Sequence, residues 1–211
     1  MPVEHKTEVI LDLTKPMDGS LEIYAEENYR DPDFSCTEWS SIGQQGYRVS
    51  ALCLGTQTGT HIDAPAHFDS DGDSLDALPV ENLIGHYFLI DLPRETNIVQ
   101  AKSLSEAFRA ERILFVRSDH LGVSFITGAA LDILLKLPPL VWVVSGQIEL
   151  IDADPLEFHR LLACHGKYLI ENLQAELSRK VSPGGELIAL PLRLLGTSGS
   201  PCRVVIRGIT Q

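Results

Sequence analysis

Eight short apolar runs punctuate the sequence, at residues 9–13, 47–54, 85–92, 113–117, 140–145, 168–171, 187–192 and 203–206. Turn-forming residues such as Pro16, Gly55, Pro93 and Gly146 flank them. Runs this short cannot each be an amphipathic helix, whereas buried strands have this length and these boundaries. Helical signals lie between them. Residues 104–109 read as a short helix, and 127–136 as a second, with Thr127 as its cap and Pro138-Pro139 as its stop. A third begins where Asp154 can cap and Pro155 can take the first position, runs to about Cys164 and is closed by Gly166. Residues 196–201, Gly-Thr-Ser-Gly-Ser-Pro, read as a turn region before the last strand. The pattern is that of an α/β chain richer in strand than in helix. With 211 residues it is long enough to bury a sizeable core as a single domain spanning 1–211.

Residues 16–46 break the pattern. This stretch mixes Asp, Glu, Ser and Pro with Tyr24, Tyr29, Phe34 and Trp39, too aromatic for a linker and too aperiodic for a helix. It reads as an ordered excursion over a site.

The charge balance narrows the partners. Seventeen basic residues against 29 acidic ones leave a formal net charge of −12, which repels phosphate backbones and anionic lipid. A nucleic-acid or membrane partner is not expected. Cys36, Cys53, Cys164 and Cys202 are widely spread and read as reduced thiols. The opening residues are polar and mixed in charge, and the longest apolar run, around 140–144, is too short to span a bilayer. A cytoplasmic protein acting on a small molecule is expected.

The densest polar cluster is Gln57-Thr58-Gly59-Thr60-His61-Ile62-Asp63-Ala64-Pro65-Ala66-His67. Gly59, Pro65 and the β-branched Thr58, Thr60 and Ile62 oppose a helix. On an extended segment Gln57, His61 and Asp63 would share one face, a geometry in which an imidazole and a carboxylate reach one divalent ion. Pro65 would end the strand, leaving His67 nearby, free for acid/base work. The other reading is a structural histidine beside a turn. His159 and Glu171 form a second candidate, because a carboxylate closing the apolar run Tyr168-Leu169-Ile170 calls for a partner or a cation. Read alone, Glu171 could equally cap the turn into Asn172-Leu173 while His159 faces solvent. His5, His86, His120 and His165 receive no role.

Together these residues resemble the cyclase family of metal-dependent hydrolases, which includes the bacterial kynurenine formamidases. The 57–67 segment is similar to the family signature. Leu11-Asp12-Leu13-Thr14 resembles its opening strand, and His159-Arg160-Leu161-Leu162 through Ile170-Glu171-Asn172-Leu173 resembles its second ligand segment. Leu190-Pro191-Leu192 with Gly199-Ser200-Pro201-Cys202-Arg203 resembles its C-terminal signature. The resemblance implies an α/β fold of the swivelling β/β/α type, a mixed sheet or barrel-like core with flanking helices. It also implies that His61 and Asp63 bind a first metal and that Asp63 bridges to a second held by His159 and Glu171, with His67 as the acid/base. Gln57 stands where the family usually has a histidine. An amide oxygen is the weaker, harder donor, so zinc affinity should fall or preference tilt toward manganese or magnesium. Residues 146–152 lack the family's usual aspartate and serine, and Tyr24 is not followed by its common glycine.

The activity this implies is hydrolysis of an amide, typically an aryl formamide, or of an ester or lactone, in a small cyclic or aromatic molecule through a metal-activated water. One or two zinc or manganese ions would serve it, with Tyr24, Phe34 or Trp39 packing on the substrate ring. Two alternatives share the fold: a biosynthetic cyclase or dehydratase that uses the metal to polarise a carbonyl, and a non-catalytic relative with a degraded metal site. A homodimer or homotetramer is implied, with an apolar face or the 16–46 excursion crossing between subunits. An anionic substrate would need local cations, for which Arg30, Arg48 and Arg117 are available.

Overall fold

In the computed structural model, which describes residues 8–118 and 122–209, the first half of the chain is built mostly of short strands. These are β1 (Glu8–Asp12), β2 (Ala25–Glu26), β3 (Tyr29–Arg30), β4 (Ser35–Ser40), helix α1 (Ile42–Gln45), β5 (Val49–Cys53), β6 (His61–Asp63), β7 (Ile84–Leu92) and β8 (Glu95–Thr96). The second half interleaves helices: α2 (Ile98–Ala107), β9 (Ile113–Ser118), β10 (Val123–Ile126), α3 (Gly128–Leu135), β11 (Val141–Ser145) and β12 (Gln147–Leu150). It ends with α4 (Glu157–Cys164), β13 (Tyr168–Glu171), α5 (Ala175–Ser178), β14 (Glu186–Pro191) and β15 (Gly199–Ile209).

Seven strands close on themselves in the order β6-β13-β11-β9-β7-β14-β15, because β15 pairs back onto β6. Four of them, β7, β9, β11 and β13, run parallel, and β14, β15 and β6 complete the ring antiparallel. β6 and β1 follow one another along the same edge of β15, β6 opposite Gly199–Pro201 and β1 opposite residues 205–209. β8, β10 and β12 form a separate parallel sheet, and β2–β3 and β4–β5 are two-stranded antiparallel pairs.

Alternation along the parallel strands explains why they read as continuous apolar runs. Ile113, Phe115, Val141, Val143 and Ile170 point into the barrel, where they join Ile62, Leu187 and Val204. Leu114, Val116, Trp142, Val144 and Leu169 point outward and are covered by Leu131 and Leu134 of α3 and Phe158 and Leu162 of α4. Both faces are buried, as parallel strands require. Lys167, buried at the start of β13, is accommodated because its ammonium donates to the Leu137 and Pro139 carbonyls at 2.8 and 2.9 Å.

Four local expectations are corrected. The 16–46 excursion is not irregular throughout, since it contains β2, β3, β4 and α1. α2 begins at Ile98 rather than 104, because Asn97 and Gln100 form a reciprocal capping box. α4 begins at Glu157, since Asp154 spends its carboxylate on the Leu156 N–H, one turn earlier, at 2.9 Å. β15 begins at Gly199, so Pro201 lies inside a strand rather than in a turn. The Cys202 N–H faces β6, so the donor that Pro201 lacks falls on the opposite side, where the β14 ladder ends at Cys202.

All four cysteines are free, with Cys202 buried and Cys36, Cys53 and Cys164 exposed. Burial, with the charge of Asp63 added, pushes the Cys202 thiol up to about 12. In a native thiol titration, Cys36, Cys53 and Cys164 are expected to react promptly and Cys202 only after unfolding; fast reaction at all four sites would contradict its burial. Asn97→Ala should remove the side-chain half of the α2 cap and cost about 1 kcal/mol. For a chain of this size that is a drop of roughly 2–4 °C in Tm by calorimetry.

Candidate metal centre

β6 is only three residues long, and both its neighbours in the ring bring something to it. The β6–β13 register sets Glu171 directly opposite His61, and the β6–β15 register sets Gly199 opposite Asp63. Because Ile62 points into the barrel, His61 and Asp63 lie on the outer face of β6. His61 Nε2 is 3.4 Å from both Asp63 Oδ1 and Glu171 Oε1. His159, projecting from α4, brings its Nε2 to 3.2 Å from Glu171 Oε2. Glu171 is therefore no turn cap, and His159 is largely buried rather than turned to solvent.

This arrangement fits a divalent cation. Ligand atoms of His61, Asp63 and Glu171 all lie within 4.8 Å of one another. The mixed nitrogen and oxygen donors are those that zinc and its first-row neighbours accept. His61 Nδ1 sits 2.9 Å from the Gly59 carbonyl, an acceptor only, so it carries the proton and Nε2 is the nitrogen aimed at the carboxylates. Burial alone would lower the His61 pKa, but hydrogen bonds to Asp63 and Glu171 outweigh it and raise it well above the usual range. The same holds, to a smaller degree, at His159 through Glu171. Burial alone would raise the Glu171 carboxyl, and hydrogen bonds from His159 and His61 hold it far below the normal value instead. The buried Asp63 carboxylate and the half-buried Glu171 carboxylate require positive charge beside them, whether protons on imidazole or a cation.

The cluster lies in a cleft of about 660 Å³ that His67 also lines. A 3₁₀ turn over Pro65–His67 follows β6 directly and carries His67 off the strand. Phe68 meets the His67 ring edge to face at 4.5 Å between centroids and lies 5.4 Å from that of His159. Tyr24 lines the cleft too, its hydroxyl donating to Glu26; that hydrogen bond pushes it up to about 12, so it stays neutral. Phe34 and Trp39 do not line the cleft, correcting the expectation that they would. Phe34 leads into β4, which pairs with β5 away from the cleft, and Trp39 on that hairpin is 78% exposed. Gln57 reaches the site by a different route from the one expected. The strand spans only His61–Asp63, and a turn with Gly59 at φ +68° folds Gln57 back so that its Nε2 lies 3.3 Å from Asp63 Oδ1.

Sequence reasoning missed Phe68 and Phe158 as cleft residues. Adjacency to His67 and His159 was the available signal. No lysine or arginine is among the described residues lining the cleft. Arg30, Arg48 and Arg117 are engaged by Asp33, Glu38 and Asp91, at 2.6, 3.6 and 2.5 Å. Of the histidines without a role, His86 and His165 bond to backbone carbonyls, while His5 and His120 lie outside the described residues.

Comparison with known proteins assigns the chain to a family. The sequence profile of the Cyclase family matches residues 11–131. The chain is 32% identical over 216 residues to the kynurenine formamidase of Bacillus mycoides, covering 97% of this chain and 100% of that one. Its fold is similar to that of isatin hydrolase A from Labrenzia aggregata bound to benzyl benzoate (TM-score 0.76, 24% identity, 96% of this chain and 94% of the other). It is also similar to a structure described as a "predicted metal-dependent hydrolase" from Bacillus stearothermophilus (TM-score 0.69, 21% identity, 95% and 98%). With the profile matching more than half of its length and a formamidase relative covered end to end, the chain belongs to the Cyclase family.

Proposed function

We propose that this chain is a hydrolase that cleaves the amide C–N bond of an aryl formamide or a closely related small aromatic amide, or the acyl C–O bond of the corresponding ester or lactone. The observation that carries this is the convergence of His61, Asp63, His159 and Glu171 with an additional histidine, His67, in one aromatic-lined cleft. The likeness to the formamidase relatives supports the formamide. Among the described residues lining the cleft there are carboxylates such as Glu22, Glu26 and Asp31 and no lysine or arginine, which disfavours an anionic substrate.

His61, Asp63 and Glu171 would hold a divalent cation, zinc or manganese, with His159 paired to Glu171 beside it. When bound, such a cation supplies Lewis acidity, polarising a carbonyl and bringing the pKa of water toward neutrality. His67 takes the proton from the attacking water as its oxygen bonds to the formyl carbon. The same imidazole returns that proton to the amide nitrogen as the C–N bond breaks, giving formate and the aryl amine. Phe68 keeps the His67 ring in place by its edge contact. Tyr24, with its hydroxyl committed to Glu26, presents a neutral aromatic surface to the ring of the substrate.

His61→Ala is expected to abolish both cation content and turnover. His67→Ala should retain the cation and lower kcat by about 10²–10⁴-fold. Elemental analysis of the two purified variants with a formanilide assay checks this, and equal cation loss in both would refute the roles assigned.

The same reading includes a cytoplasmic homodimer or homotetramer. A two-stranded hairpin has little stability of its own in water, yet β4–β5 leaves Trp39, Tyr47, Val49 and Leu52 exposed. A second copy of the chain would cover it. Trp39→Ser should therefore shift sedimentation toward the monomer while the far-UV circular dichroism stays unchanged, and an unaltered oligomer would place the interface elsewhere. Among the described residues no helix is long and apolar enough to cross a membrane.

A further inference from the structure

We propose that Gln57 orients Asp63 and does not itself ligate the cation, so that the centre holds one divalent cation per chain. This rests on the metal-centre reading above. Both ends of the Gln57 amide are already engaged. Its Nε2 donates to Asp63 Oδ1 at 3.3 Å, and its Oε1 accepts from the Thr56 hydroxyl at 2.5 Å. Turning the amide over would set Oε1 against Oδ1, two acceptors with no proton between them.

The surroundings are shaped for the amide as it stands. The Gly55 N–H donates to the Thr58 hydroxyl at 2.8 Å and Gly59 takes φ +68°, which together turn residues 55–59 back toward β6. On the far side, Gly199 leaves the necessary space. A Cβ there would lie 2.6 Å from Gln57 Nε2, 2.6 Å from the Ile62 carbonyl oxygen and 3.4 Å from Asp63 Oδ1.

Two consequences follow for the cation. Asp63 Oδ1 already faces the Gln57 amide and His61 Nε2, so the carboxylate is held in one orientation. His61, Asp63 and Glu171 supply three donor side chains whose ligand atoms lie within 4.8 Å of one another, enough for one ion that keeps a fourth position open. A second ion on the Gln57 side of Asp63 would meet the positive end of an N–H dipole where it needs an electron pair. Gln57 is therefore a positioning residue.

The test is a cobalt(II) titration of the metal-stripped full chain and of Gln57→Met, which keeps length and loses the donor, read by elemental analysis and by the visible d–d spectrum. One equivalent is expected in both proteins. The variant should bind about 10–100-fold more weakly, as for loss of an outer partner of a ligand. The intensity of its d–d bands, which reports coordination number, should match that of the parent. Two equivalents in the parent, or a changed coordination number in the variant, would overturn the proposal while leaving the metal centre intact. Absence of any bound cobalt in the parent would instead refute the metal centre itself. Should Gln57→Met fail to fold, Gln57→Ser removes the same donor and is read in the same way.

Discussion

The pairing of β6 with both β13 and β15 is the constraint on which the rest of this structure depends. These three residues join β13 to β15 and complete a ring that would otherwise be an open sheet. Ile62 is sealed inside the barrel by that closure, and His61 and Asp63 are turned to the outer face by the same alternation. A slip of one residue in the register would bury the imidazole and carboxylate among aliphatic side chains and expose Ile62. Folding and assembly of the site are thus one event.

Closure also accounts for the electrostatics. A carboxylate opposite His61 and an imidazole from α4 collect beside a strand with little access to water, so the group is stable only when its charges balance. Protonated imidazoles balance it, and a divalent cation would do the same. The raised His61 and depressed Glu171 have a common origin in this shared cluster. Around it, Tyr24, Phe68 and Phe158 add aromatic surface to a cleft otherwise rich in carboxylates, while His67 enters from the turn immediately after β6.

Much of this was legible in the order of residues. The β9, β11 and β13 runs were readable because a strand covered on both faces must be apolar at every position, and Thr127 was readable as a cap because its hydroxyl has one local task. The two ligand segments were readable because charged side chains inside apolar runs call for partners. β2, β3, β8, β10 and β12 were not. They are two to four residues long, and a run that short carries no period. The Asn97–Gln100 box was overlooked because the helix it starts carries few core residues, with Ala101 its single buried one.

By itself the sequence determined the strand-rich α/β class, the acidic surface that disfavours nucleic acid and the identities of the side chains able to hold a cation. Those properties are local: they depend on residue chemistry and on spacing along the chain. Only the tertiary structure decided that Glu171 lies across from His61, that Gln57 is folded back onto Asp63 by a left-handed glycine, and that Trp39 stands away from the cleft while Phe68 enters it. Each of these follows from a strand register or a chain reversal. Both are set by the closing of the barrel as a whole, where burying Ile62 and Ile170 on one face leaves the opposite face no freedom in what it presents.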